Sequence, residues 1–294
     1  MLTISIVNGY SQSKAYELPV YYGQFFNDPQ INTLGFNNKS DLKISLAHRR
    51  NSNNFGGINT SLFSAQFKLK SKKESSHHSA GLKFVSDKEG FLIRRNRAAL
   101  TYGRHLKMNE KFNIAGGFSA GFYNFSITSN DVTGGYSSYA FDGSFSVAMY
   151  NQKTKLGLSI NQFTNSTIQP VSQEIILMRH LNFFASHNFK IGEEVNFIPN
   201  IISRYSRNDN SIFTGFAASF GAQFLFKEKF MAGASAEKSN GYYFFGGFEQ
   251  IPLGSSKINL TLSYFVPNGK NLRSNVQLFE VFISSDINFK NNKN

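Results

Sequence analysis

The feature that most constrains this chain is a repeated alternation of apolar and polar residues between positions 42 and 289. Near the end of the chain, for example, Ile258, Leu260 and Leu262 alternate with Asn259 and Thr261. Successive side chains of a β-strand point to opposite faces, so a period of two predicts strands and not helices. The chain therefore reads as a series of short strands separated by turn-rich connections.

Nearly every such segment has one aromatic-rich apolar face and one polar face, and these segments include no second layer that could cover the apolar faces. Lipid outside and water inside satisfy this pattern, and a strand sheet in lipid must close because unpaired backbone groups are costly there. No apolar stretch is long enough for a transmembrane helix. We therefore predict an all-β fold, a single transmembrane antiparallel β-barrel of about 14 strands. The predicted strands are 42–49, 62–70, 79–85, 97–105, 112–125, 140–150, 155–163, 181–190, 195–205, 214–226, 230–237, 242–250, 257–266 and 276–289.

The connections between these strands alternate in kind. Those at 107–111, 151–153, 191–194 and 227–229 are short and charged, whereas most of the others are longer and rich in Asn, Ser and Gly. Outer-membrane barrels have short periplasmic turns and longer extracellular loops. We therefore expect an integral protein of the bacterial outer membrane whose chain starts in the periplasm. The connection at 71–78, which contains His77 and His78, is predicted to be a turn that is long for its side.

The N-terminal region divides into two parts before the barrel. Residues 1–11 form a short apolar run followed by small residues, which is typical of the end of a secretory signal peptide. A buried first strand is the other interpretation. Residues 12–40 show little alternation but contain several aromatic residues, and we predict an N-terminal periplasmic or plug segment there, with a loose tail as the alternative. The barrel is expected at 41–290.

The net charge of +13 is unevenly distributed, because residues 1–111 contain 17 Lys and Arg against 7 Asp and Glu. The bases are scattered over strands and turns, which does not fit nucleic-acid binding. Alternation places Lys43, Lys68, Lys70, Lys83 and Arg97 on the inner face of the first four strands. We interpret them as a basic sector of the lumen, in addition to contacts with outer-membrane lipid. This sector is either a positive surface for an acidic polypeptide partner or plug, or a solvated wall with scattered charge.

No catalytic or metal-binding constellation is recognisable. The chain has no cysteine, and the adjacent His77 and His78 would point to opposite sides of a strand, which does not suit a shared metal. Ser186 and His187 are likewise neighbours that would face opposite ways, and no nucleophile elbow is present, so the lipase type of barrel is disfavoured. The glycines between Ala115 and Gly121 fall in a predicted strand and not in a phosphate-binding loop. We expect no enzyme activity and no cofactor.

Several short motifs resemble a known family. Gln24, Phe25, Phe26 and Asn27, followed by Pro29, Ile31, Asn32 and Gly35, resemble the N-terminal signature of the PorP/SprF family of type IX secretion system outer-membrane proteins. Here Asp28 precedes Pro29, and Thr33 and Leu34 replace a second Pro-Ala of the family pattern. The segments 45–50, 59–67 and 99–121 are similar to the family's following strands and hairpin, although the usual Trp is absent. The family positions that carry over are Phe26, Asn27, Pro29 and Asn32.

The resemblance implies a non-enzymatic accessory component of type IX secretion. Such a protein would pair with a secreted, adhesin-like client, such as a gliding adhesin, and with other components of the secretion system. It would assist export or surface attachment of the client through the client's C-terminal domain. The alternative from a different class is a passive outer-membrane channel for hydrophobic small molecules, similar to the fatty-acid transporters. A genomic neighbour that encodes a large adhesin would favour export, and a catabolic operon would favour transport.

Overall fold

A computed structural model describes residues 15–16, 40–51, 57–70, 76–90, 92–128, 135–169, 174–206, 215–237, 241–268 and 278–289. These residues are all-β and form a closed antiparallel barrel of 14 strands. Among them no helix is long and apolar enough to cross a membrane. The predicted fold class is confirmed.

Each barrel strand pairs with the strands before and after it in the chain, and the last strand pairs with the first. One barrel strand is broken at Asn188 into two pieces, β11 (His180–His187) and β12 (Phe189–Ile191), which both pair with β13 (Val195–Ser206). The barrel strands are β2 (Leu42–Asn51), β3 (Asn59–Lys70), β4 (Ser76–Glu89), β5 (Ile93–Lys107), β6 (Asn113–Ile127), β7 (Tyr136–Tyr150), β8 (Thr154–Asn161), β11 (His180–His187) with β12 (Phe189–Ile191), β13 (Val195–Ser206), β14 (Gly215–Phe226), β15 (Phe230–Glu237), β16 (Gly241–Leu253), β17 (Ser256–Pro267) and β18 (Leu278–Ile287).

Every predicted strand has a counterpart in the barrel, and most bounds differ by only a few residues. The prediction that His77 and His78 lie in a turn is wrong, because both belong to β4. His77 pairs with Lys70 of β3 on one side and with His105 of β5 on the other. Ladder hydrogen bonds to two neighbours thus extend β4 past the point where its apolar alternation stops, which sequence alternation alone does not reveal.

The two ends of the barrel differ as predicted. The first and last strands meet at one end, where the Asp41 amide donates to the Ile287 carbonyl over 3.1 Å. We call this the short-turn end, since tight turns such as the one through Lys227 and Glu228 lie there. Both of these residues have positive φ, as a two-residue hairpin turn of type I′ requires. We call the opposite end the long-loop end.

The two faces of the wall follow the predicted register. Phe118 is 45% exposed and Ser119 only 5% exposed, so the apolar side chain points outward and the hydroxyl inward. The outward positions of the other strands are also dominated by exposed Phe, Tyr, Leu and Ile, whereas many inward positions are Ser, Asn, Thr, Gln or charged residues. The outer face is therefore suited to a lipid environment.

Side chains from opposite parts of the wall pack together in the interior. One apolar cluster contains Ala148 of β7, Phe184 of β11 and Ile202 of β13 together with Tyr243 of β16 and Phe265 of β17. The rings of Tyr243 and Phe265 lie 4.5 Å apart. Because both sides of the ring of strands contribute to one cluster, the barrel interior is packed at this level and is not a wide pore.

A small sheet lies inside the long-loop end. Its strands are β1 (Ala15–Tyr16), β9 (Thr167–Ile168) and β10 (Ile175–Leu177), the last two from the connection between β8 and β11. Ile168, Ile175 and Leu177 pack against the inward-facing Tyr123 and Phe125 of β6. The backbone of β1 pairs in parallel with β10, so a short piece of the N-terminal region joins this sheet.

Candidate partner-binding lumen

The register distributes the predicted basic sector over several levels of the barrel. Counted from the short-turn end toward the long-loop end, its members occupy five successive inward rows. Each row lies two residues further along the strands than the row before it, a distance of about 7 Å. The order of these rows is Lys70, Lys68, Lys43, Lys83 and Arg97. Lys70 is placed by its backbone pairing with His77. The basic residues are therefore spread over five levels of the wall formed by β2 to β5, with one member in each row, and we call this set the diagonal.

The highest member of the diagonal is paired within the barrel. The Arg97 guanidinium forms a salt bridge with Asp142 of β7, and the two side chains are 4% and 0% exposed. Arg97 also donates to the Ser144 hydroxyl over 3.2 Å. A buried charge needs such a partner, since an uncompensated one is very costly. The positive charge of Arg97 is thus balanced by the protein itself.

The register gives another member of the diagonal an acidic neighbour. Lys43 of β2 stands directly opposite Asp286 of β18. Asp286 in turn accepts a hydrogen bond from the Ser40 hydroxyl over 3.0 Å. Lys68 of β3 stands opposite Ser79 on one side, and on the other side its amide donates to the Asp41 carbonyl over 2.8 Å. Lys83 of β4 stands opposite Ser64. The register therefore gives Lys43 and Lys68 one acidic neighbour each, Asp286 and Asp41.

A second polar network, near the long-loop end, was not identified from the sequence. The Arg95 guanidinium contacts Asp87 over 3.3 Å, forms a further salt bridge with Glu89 and lies 5.3 Å from the centre of the Phe125 ring. The Thr60 hydroxyl donates to the same Asp87 over 2.6 Å. Alternation in the sequence already places these polar residues on the inner face of their strands. Only the register between the strands shows that their side chains are in contact.

The histidines of β4 point in opposite directions, as the strand period requires. The His77 ring stacks inside the barrel on His105, with centroids 4.3 Å apart and planes inclined by 6°. His105 is held by hydrogen bonds with Tyr150 at 2.9 Å and Ser79 at 3.3 Å. His78 lies on the other face and contacts the Tyr102 hydroxyl at 2.6 Å. Within the described ranges, no group of three or more His, Cys, Asp or Glu is arranged to hold a metal ion.

The family motif positions Phe26, Asn27, Pro29 and Asn32 lie outside the described residues. The part of the lumen that the structure describes offers packed apolar clusters, internally paired charges and the inward positions of Lys68 and Lys83. These groups are able to hold an acidic or carbonyl-rich polypeptide by charge and hydrogen bonds. Water-filled passage of a large solute would require the apolar cluster around Phe184 and Phe265 to separate.

Comparison with solved structures places this architecture among known β-barrels. The toluene transporter TbuX of Ralstonia pickettii superposes with a TM-score of 0.57 at 10% identity, covering 86% of this chain and 90% of that one. The monoaromatic hydrocarbon channel CymD gives 0.52 at 12% identity, with 86% and 89% covered. The toluene transporter TodX of Pseudomonas putida gives 0.51 at 10% identity, with 86% and 91% covered. At such low identity these likenesses establish the fold alone.

No curated protein matches the chain in sequence. A family model does match, and it extends over residues 15–284, which is nearly all of the chain and every strand of the barrel except the last residues of β18. The family is described as type IX secretion system membrane protein PorP/SprF. This agrees with the resemblance seen in the N-terminal motif and the first hairpins. The chain belongs to the PorP/SprF family of type IX secretion system membrane proteins.

Proposed function

We propose that this barrel is a non-enzymatic accessory component of type IX secretion, integral to the outer membrane, that partners a secreted adhesin-like protein. It acts on the client's C-terminal domain during export or surface attachment. Family membership supports a role in secretion. The packed interior is the observation that supports the proposed role in binding the client. A barrel whose lumen is filled by its own side chains can bind a polypeptide but cannot let one pass through.

The apolar cluster in the barrel interior is tightly packed. Phe184 is 2% exposed, Ile202 3% and Phe265 8%, and they belong to one cluster drawn from both sides of the barrel. An unfolded chain needs a passage wider than a side chain, and separating this cluster would expose apolar surface at about 25 cal/mol per Å². The client is therefore engaged at the mouth or at the outer wall of the barrel.

The diagonal of basic residues is the proposed contact for a partner segment. Lys68 and Lys83 lie on the inward register of the adjacent strands β3 and β4, and Lys43, Lys70 and Arg97 lie in neighbouring rows of the same register. An acidic or carbonyl-rich segment that approaches from the short-turn end meets Lys68 and Lys43 first. Such attraction is screened over about 8 Å at physiological ionic strength, so binding should weaken with added salt.

The division of the chain belongs to the same proposal. Residues 1–11 are a signal-peptide remnant, 12–40 an N-terminal periplasmic or plug segment, and 41–290 the barrel. The pairing of Ala15–Tyr16 with β10 supports an N-terminal segment that joins the barrel and is not a free tail. That segment and a client's terminal domain are the two candidate partners of the basic diagonal.

The experiment compares two double variants in cells that carry a type IX system. Lys68→Gln with Lys83→Gln removes two positive charges from the lumen wall, and Lys111→Gln with Lys153→Gln removes two exposed charges from turns at the short-turn end. Surface display of clients is measured by labelling and protease accessibility on intact cells. We expect display to fall several-fold in the first variant and to remain normal in the second. Normal display in both, with the barrels folded, would refute the contact.

A passive channel for hydrophobic small molecules is the second candidate, and the fold shared with hydrocarbon channels is the observation that favours it. The buried Arg97–Asp142 ion pair and the Arg95 network count against an apolar passage. Liposomes that contain the purified protein should therefore take up toluene or fatty acid no faster than empty liposomes. Rapid uptake together with normal client display in a deletion strain would favour the channel.

A further inference from the structure

Three cationic residues form a row on the outer face at the long-loop end. In the register, Arg50 of β2 is opposite Asn59 of β3, Asn59 is opposite Lys88 of β4, and Lys88 is opposite Arg94 of β5. Arg50 and Arg94 are exposed, and Lys88 is half-buried. We call Arg50, Lys88 and Arg94 the rim triad.

The rim triad faces away from the lumen. Alternation puts Arg50 on the face of Leu46, and Lys88 on the face of Phe84, which are 49% and 43% exposed. The acidic residues next to Lys88 in the chain, Asp87 and Glu89, are turned inward, where both contact Arg95. The acids of this region thus neutralise an interior cation and leave the outer row positive.

This arrangement is unfavourable without an external anion. Lys88 and Arg94 are directly opposite each other on adjacent strands, and like charges in that position are destabilising. Strands are about 4.8 Å apart, so Arg50 lies two strands from Lys88, about 10 Å away. Across the ranges that the structure describes, no acidic side chain forms an ion pair with any member of the rim triad.

The residue types of the outer wall change row by row from the rim triad toward the middle of the barrel. The next row consists of His48, Ser61, Ser86, Asn96 and Asn124, and the His48 ring is hydrogen-bonded to the Ser61 hydroxyl at 2.9 Å. Below it the rows are apolar, beginning with Leu46, Phe63, Phe84, Ala98 and Phe122. From the rim downward the surface thus presents cations, then hydroxyl and amide groups, and then apolar side chains.

We propose that this face binds a phosphorylated glycolipid of the outer leaflet. Its phosphates contact the rim triad, its sugar hydroxyls contact the polar row, and its acyl chains cover the apolar rows. Arginine suits phosphate because its planar fork donates two parallel hydrogen bonds. The matching outward row near the short-turn end reads Leu69, His78, Arg104 and Gly116, with a single arginine. On this part of the outer wall the row of three cations therefore belongs to the long-loop end alone.

The inference goes beyond the proposed function and assumes only that the protein lies in an outer membrane. Its test uses the full chain, purified in detergent and checked for folding by gel migration without heating. Diphosphoryl lipid A is titrated, and its apparent Kd is measured by native mass spectrometry. The triple variant Arg50→Gln, Lys88→Gln, Arg94→Gln is compared with Lys111→Gln, Lys153→Gln, Lys229→Gln, which removes the same charge from turns at the short-turn end.

We expect at least a tenfold rise of the Kd in the rim variant and less than a twofold change in the control. Lipid A without phosphates should bind the unmodified protein as weakly as diphosphoryl lipid A binds the rim variant. An equal loss in both triple variants, or equal competition by phosphatidylglycerol, would overturn the proposal in favour of non-specific charge attraction. If the rim variant does not fold, the single variants Lys88→Gln and Arg94→Lys replace it, and an unchanged Kd in both would overturn the proposal.

Discussion

Arg97 of β5 and Asp142 of β7 form a buried ion pair that spans the strand between them, β6. The pair ties two non-adjacent strands together inside the barrel. On β6, the strand between them, Gly121 is the backbone partner of Asp142 and Tyr123 is the backbone partner of Arg97. The interior is therefore organised by contacts across strands as well as by ladder hydrogen bonds.

Removing one member of this pair should destabilise the barrel strongly. Arg97→Gln or Asp142→Asn leaves the other charge buried without its partner, at a cost of about 3–5 kcal/mol. The double variant Arg97→Met, Asp142→Leu removes both charges and should restore most of this loss. Urea unfolding in detergent micelles measures the difference. It can be followed by gel migration or by tyrosine fluorescence, since the chain contains no tryptophan. Equal stability of the single and double variants would contradict a compensated buried pair.

The outward position of Phe118 predicts how substitutions there affect the stability of the barrel. Because this side chain is 45% exposed on the outer face of β6, Phe118→Arg would place a charge toward lipid. Such a substitution costs about 2–4 kcal/mol at the bilayer midplane. Phe118→Leu, which keeps the site apolar, is the matched control. Unfolding of the protein in lipid vesicles gives both values, and a harmless arginine would mean that this surface does not face hydrocarbon.

Two glycines of the same strand should respond differently to alanine. A Cβ at Gly121 would lie 2.0 Å from the Ala98 carbonyl oxygen, whereas a Cβ at Gly116 has no heavy atom within 4 Å. Gly121→Ala forces the backbone of β5 or β6 to move, and overpacking of this kind costs about 1–3 kcal/mol. Gly116→Ala should be close to neutral. Thermal unfolding of the two variants provides the comparison, and equal midpoints would argue against the close approach at Gly121.

Barrel closure predicts gel behaviour that does not depend on any single residue. In a closed barrel every ladder hydrogen bond is satisfied by a neighbouring strand, so the fold persists in mild detergent until it is heated. Unheated samples should therefore migrate differently from boiled samples in gels. Identical migration, together with recovery of the protein in the soluble fraction, would rule out the transmembrane barrel.

The sequence by itself determined the number of strands, the face that each strand turns to lipid and the alternation of short and long connections. These properties are local, since alternation with a period of two can be read within each strand. For β15 the predicted bounds, 230–237, coincide with the observed Phe230–Glu237. The family was also recognisable from short motifs, although the motif positions Phe26, Asn27, Pro29 and Asn32 lie outside the described residues.

Only the tertiary structure decided which inward residues meet. The extension of β4 through His77 and His78 depends on hydrogen bonds to β3 and β5, and not on a local apolar pattern. The same register spreads the basic residues into a diagonal, pairs Arg97 with Asp142 and aligns Arg50, Lys88 and Arg94 in one row. A shift of one residue between two strands would change all of these contacts. The register is set by the geometry of the turns and by closure of the whole ring of strands. No single segment of the sequence contains this information.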